Sequence, residues 1–173
     1  MALILSGTNG LSDVDGSAST PAIRGTDTNT GIFFPGNDRI GFAEGGVQVG
    51  EFDASGNFQF NSGYGSTAIA YGCRAWVNFN GTGTVAIRAS GNVSSITDNG
   101  TGDYTVNFTT AMPDINYSFL ATGAGIIWGG PYNSPSVVGN NNADFATTNV
   151  RLRASNSGNA SVDQGYISAA IFR

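Results

Sequence analysis

Apolar positions follow two patterns along the chain. Between residues 30 and 60 they form very short pulses: Ile32-Phe33-Phe34, Ile40-Gly41-Phe42, Val47-Gln48-Val49 and Phe58-Gln59-Phe60. Each is cut off within a few residues by Gly, Pro, Asn or Asp, and pulses bounded in this way predict brief strands. Strands so brief cannot enclose a core from one chain, because each hairpin leaves an apolar face and two open edges. The economical cover is further copies of the same chain. From about residue 63 onward the predicted strands lengthen and alternate. Residues 75–79, the turn Asn80-Gly81-Thr82-Gly83 and residues 84–88 predict a hairpin, with Asn-Gly as its turn signal. A second hairpin runs from 92–97 through a turn at 98–103 to 104–108. Its Tyr104, Val106 and Phe108 face one way, and Thr105, Asn107 and Thr109 the other. Further strands are predicted over 116–122, over 149–154 with Val150 and Leu152 inward, and over 165–172. No window carries a capped helical period, and only 64–71 is ambiguous.

The expected fold is therefore all-β. Residues 1–62 would form an N-terminal anchor and hairpin shaft, and 63–173 a β-sandwich head resembling a jelly roll.

Composition narrows the chemistry. The 173 residues include 26 Gly, no His and seven basic residues, all Arg, for a net charge of −5. Scattered Arg in an acidic chain offers neither the basic stripe that nucleic acid requires nor a polybasic membrane patch. The apolar runs are far shorter than the ~20 residues of a membrane span, and residues 1–5 lack the basic start of a signal peptide. Synthesis without a signal peptide is the expectation. Cys73 is the single cysteine, which excludes an internal disulfide; it is expected as a small core hydrophobe.

Without His, the usual base for a Ser or Cys nucleophile is missing. A glycosidase needs two carboxylates held across a sugar, and no segment announces such a pair. Most Asp residues stand beside Gly or Asn in turns. Asp13-Val14-Asp15-Gly16 and the 98–103 turn resemble partial calcium loops but lack the full ligand spacing. The expectation is a protein that is not an enzyme, with no metal and no cofactor.

Two segments carry a resemblance. Residues 30–60, TGIFFPGNDRIGFAEGGVQVGEFDASGNFQF, resemble a module of phage tail-fibre proteins in which a TGIFFP-like run, an IGF-like run and a DASGN-like turn follow in that order. Residues 73–117, CRAWVNFNGTGTVAIRASGNVSSITDNGTGDYTVNFTTAMPDINY, are similar to a C-terminal head domain of phage tail fibres, especially those of marine and cyanobacterial phages (cyanophages). The resemblance implies an intertwined homotrimer on the virion tail, held by other tail or baseplate proteins through its N-terminal region. It also implies adhesion to the host, with a cell-surface glycan as the expected receptor. The alternatives are a purely structural baseplate or capsid decoration and a glycan-cleaving tailspike.

For the receptor site the sequence offers aromatic rings beside amides in loops, the pairing that sugars require. Trp128 and Tyr132 lie in a Gly/Pro-rich segment, and Asn140, Asn141, Asn142 and Asp144 in a dense polar one. These six are the candidate ligand-binding residues. Trp76 sits mid-strand beside Val77 and Phe79 and is expected in the core or in a subunit interface.

Overall fold

The computed structural model describes residues 5–6, 10–11, 14–63, 65–124, 134–136, 144–156 and 159–173. Among them every regular element is a strand, as the β-branched and aromatic content predicts. The chain divides into two compact units, Met1–Ala70 and Tyr71–Arg173.

In the first unit the apolar pulses become β5 (Ile23–Arg24), β6 (Gly31–Phe33), β7 (Ile40–Glu44), β8 (Val47–Phe52), β9 (Phe58–Phe60) and β10 (Ala68–Ile69). They form one antiparallel sheet in the order β10-β9-β8-β7-β6-β5. Two-stranded ribbons β1–β2 (Leu5–Ser6, Gly10–Leu11) and β3–β4 (Gly16–Ser17, Thr20–Pro21) precede it. Gly45 and Gly46 close the β7–β8 hairpin with φ of 58° and 81°, a left-handed pair matching the right-handed twist of the strands. Because β10 pairs with β9, residues up to Ala70 belong to this sheet.

The second unit contains β11 (Cys73–Asn80), β12 (Ala86–Gly91), β13 (Val93–Gly100), β14 (Asp103–Phe108), β15 (Ser118–Ala124), β16 (Ser134–Ser136), β17 (Asn149–Ser155) and β18 (Tyr166–Phe172). Sheet β12-β11-β18-β15 packs on sheet β13-β14-β17-β16 through a single buried cluster. This is a β-sandwich; its likeness to a jelly roll stops at two four-stranded sheets. Ala75, Val77, Phe79, Ile167 and Ile171 come from one inner face, and Tyr104, Val106, Phe108, Val150 and Leu152 from the other. The alternation read along 104–108 and 149–154 thus has the expected inward residues.

Tyr104 anchors one end. Its ring meets Phe79 edge-on at 5.2 Å, and its hydroxyl lies 2.8 Å from both Gly81 O and Asp163 Oδ1. Burial and the Asp163 carboxylate raise its pKa well above the usual phenol range. Tyr117 closes another part of the core, donating to the carbonyls of Ala146 and Asn149, and burial pushes it up to about 12.

One expectation is corrected and another narrowed. Cys73 is exposed rather than in the core, because it opens β11 beyond the inward-facing Ala75; its Sγ lies 3.2 Å from Ala75 O. Trp76 lies outside the core, which leaves the subunit-interface half of its expectation standing. With Ala75, Val77 and Phe79 inward, strand parity turns the indole between them outward, where it is 45% exposed.

Candidate functional site

Of the six residues proposed from the sequence, Trp128, Tyr132, Asn140, Asn141 and Asn142 lie outside the described residues. Asp144 is described and is only 8% exposed, so its carboxylate is set into the unit rather than presented on its surface. The described geometry places the surfaces suited to a partner elsewhere.

The first is one face of the first unit's sheet. Register sets Ile40, Phe52 and Phe58 in one cross-strand row, with Ile23, Ile32, Phe42, Phe60 and Ala68 on the same face in the next. The rings make a continuous series: Phe42 to Phe52 at 6.3 Å, Phe52 to Phe58 at 5.3 Å and Phe58 to Phe60 at 6.2 Å, the last pair nearly parallel. Phe52, Phe58 and Phe60 remain 44%, 43% and 41% exposed. A contiguous row of half-exposed aromatics marks an interaction surface, whereas singly scattered ones would not.

On the opposite face of this sheet Phe33, Ala43 and Glu51 are buried within the chain. Phe33 is buried across Gly41, where a Cβ would come within 2.7 Å of its ring. Beside it the buried Glu51 carboxylate accepts from Arg39 Nη2 at 2.6 Å and Gln48 Nε2 at 2.9 Å. The carboxylate of this cluster is thereby satisfied within its own sheet, whereas Arg39 Nε is buried without a described partner.

An open depression in the same unit is lined by Asp15, Phe34, Asp38, Arg39, Phe52 and Asp53. Asp53 is occupied by its own turn. The Asn57 N–H at 2.9 Å, the Asn57 amide and Gln59 Nε2 at 2.7 Å all donate to it, and together they hold its carboxyl at about 2. The DASGN segment is therefore a hydrogen-bonded loop, and among the described residues no cluster of carboxylates, His or Cys is arranged to hold a metal ion.

The second surface is the outer face of β12-β11-β18-β15. Trp76 lies against Gly91, whose missing side chain makes room for it: a Cβ there would come within 2.5 Å of the indole Nε1. Further along the same face the Arg88 guanidinium stacks 4.0 Å above the Tyr166 ring and donates to Gly165 O. The sequence reading missed both features. Strand parity could have found Trp76, whereas the Arg88–Tyr166 pair joins residues far apart in sequence and carries no local signal.

No protein-family model matches the chain, and no curated protein matches it. Among solved structures it is similar to the phiAB6 tailspike in complex with three-repeated oligosaccharides of Acinetobacter baumannii surface polysaccharide. The TM-score is 0.42 at 12% identity, over 90% of this chain and 38% of that one. The chain spans little more than a third of that tailspike, and a likeness this slight carries no argument about function.

Proposed function

We infer that the chain is the subunit of a homotrimeric phage tail fibre whose second unit binds a glycan on the host cell surface. The aromatic face of the first unit's sheet is the observation that supports it most. Covering Phe52, Phe58 and Phe60 with identical copies removes them from water, and a three-fold arrangement closes on its own axis. The tail-fibre resemblance of residues 30–60 and 73–117 supplies the rest: a virion appendage, joined to tail or baseplate proteins through its N-terminal region, whose three heads bind a repetitive surface with avidity.

The reading is of binding, not catalysis. A general acid needs a carboxyl whose pKa is raised. Here Asp53, Asp103 and Asp114 are instead each held low, by the Asn57 donors, by Arg151 and by Arg173 respectively. A map of the intact particle tests the proposal. Three copies on one axis with 71–173 facing outward are expected; a chain enclosed within the particle would leave it a scaffold component.

A further inference from the structure

The two outer faces of the sandwich have opposite chemistry. On β13-β14-β17-β16 the outward positions include Ser95, Thr97, Thr105, Asn107, Asp103 and Arg151, and they satisfy one another, Arg151 pairing with Asp103. Asn107 Nδ2 donates to Ser95 Oγ at 3.1 Å and Thr97 Oγ1 at 2.9 Å, and Asn99 Nδ2 to Thr105 Oγ1 at 2.9 Å. That face is a solvated surface with its hydrogen-bonding capacity largely used.

On β12-β11-β18-β15 the register sets Leu120, Ala170, Trp76 and Gly91 in one row. The next row is Thr122, Ser168, Asn78 and Ala89, in which Asn78 Nδ2 donates to Ser168 Oγ at 2.8 Å. The small neighbours Gly91 and Ala170 leave the indole as the raised feature of the face. Tyr166 stands four residues from Ala170 along β18, about 13 Å at ~3.3 Å per residue, carrying Arg88 on its ring.

The charge on this face is one-sided. The four strands contain Arg74 and Arg88 but no Asp or Glu, in a chain of net charge −5. Among the described residues the ion pairs engage Arg39, Arg151 and Arg173, and none joins a carboxylate to Arg88.

We propose that this face is a binding platform for an acidic polysaccharide, with Trp76 stacking on a sugar ring and Arg88 pairing with its carboxylate. Thr122, Ser168 and Asn78 lie between them as hydroxyl and amide partners for sugar hydroxyls. The proposal deepens the adhesion reading and rests on it. A guanidinium with no described carboxylate partner, on strands without Asp or Glu, complements an anion, and Tyr166 stacking and the bond to Gly165 O pre-order it for pairing with a carboxylate. A second copy of the chain suits the face less well. Interface cores take up aromatics and Arg but are continuously packed, whereas here a polar row separates Trp76 from Tyr166. The unbroken aromatic face of the first unit is of the packed kind.

The test uses the full chain in its native assembly on an array of uronic- and sialic-acid-bearing glycans with their carboxyl-reduced, neutral counterparts. Binding to a carboxylated glycan above its neutral counterpart is expected. Trp76→Ala should weaken it about tenfold per site, with Trp76→Tyr retaining most of it. Arg88→Gln should remove the preference for the acid form. Ala89→Glu, an exposed substitution within the platform, should abolish acid binding, and Thr105→Glu on the opposite sheet should change nothing. Melting temperature and oligomer mass are measured alongside. Equal binding to acid and neutral forms, or binding untouched by Trp76→Ala, overturns the platform and leaves the adhesion reading standing. Loss of the oligomer in Trp76→Ala overturns it by assigning the face to a subunit interface. If no glycan is bound by a chain that still blocks phage adsorption to cells, the platform alone falls.

Discussion

Replacing Phe58 with Asp tests the oligomer at its proposed seam. Phe58 stands between Phe52 and Phe60 on the open face of the first unit's sheet and is 43% exposed. An aromatic side chain buries roughly 150–250 Å² in full, so about 80–90 Å² of this ring remains to be covered by a neighbour. At about 25 cal/mol per Å², covering it contributes about 2 kcal/mol per subunit. A trimer carries the substitution three times, so the assembly loses about 6 kcal/mol, roughly four decades in its dissociation constant. Desolvating the new carboxylate adds to that loss. Within the subunit the part of the ring already covered is lost as well, about 3 kcal/mol at the same rate, together with two ring contacts of about 0.5–1.5 kcal/mol each, so the subunit's own melting temperature is measured alongside. Sedimentation velocity across a dilution series reads the outcome. The unmodified chain should hold three times 17.7 kDa on dilution, and Phe58→Asp should dissociate at micromolar concentration. Ile40→Glu, in the same row, should do likewise, and Ser95→Asp on the polar face of the sandwich should not. A Phe58→Asp trimer that survives dilution as the parent does would refute the assignment of this face.

Tyr104→Phe should cost about 2 kcal/mol, because it removes the buried hydroxyl shared by Gly81 O and Asp163 Oδ1, the latter keeping its Gly102 N–H donor; urea melts of the second unit measure it. Residues 71–173 expressed alone should fold, since their whole core cluster lies within them, and a fragment without β circular dichroism or proteolytic resistance would count against that. Asp53, Asp103 and Asp114 have folded-state pKa values below the unfolded 3.8, so their contribution is fully present above about pH 4. Thermal stability should be flat from pH 7 to 5 and fall between about pH 4 and 2. Asp53→Asn should flatten part of that fall.

The strands were legible wherever one face is buried and the other wet. Tyr104, Val106 and Phe108 alternate with polar residues, and the inner positions of β14 are these three. The short pulses of 30–60 were legible as strands because Gly, Asn and Asp punctuate them, and the exposed Phe row follows from a single sheet having two faces. For Trp76 the place mid-strand beside Val77 and Phe79 leaves core and interface open, and parity with Ala75, Val77 and Phe79 removes the core. Cys73 was misjudged because residue type was weighed above a place at the strand's start. The two-residue strands β5 and β10 carry too few positions to show a period. Arg88 on Tyr166 and Asn78 on Ser168 are long-range pairs set by strand order, which no local pattern encodes. Five of the six candidate receptor residues fall outside the described ones, so the sequence case for those loops stands on the aromatic and amide pairing alone.

Adsorption competition tests the central claim most directly. Host cells are saturated with the purified assembly, washed, and challenged with the phage that carries this chain. A receptor-binding fibre head occupies the receptor, so adsorption and plaque count should fall in proportion to the cells' occupancy. Residues 71–173 as a monomer should protect far more weakly, because they lack avidity. Unchanged adsorption on cells exposed to saturating assembly would contradict the account.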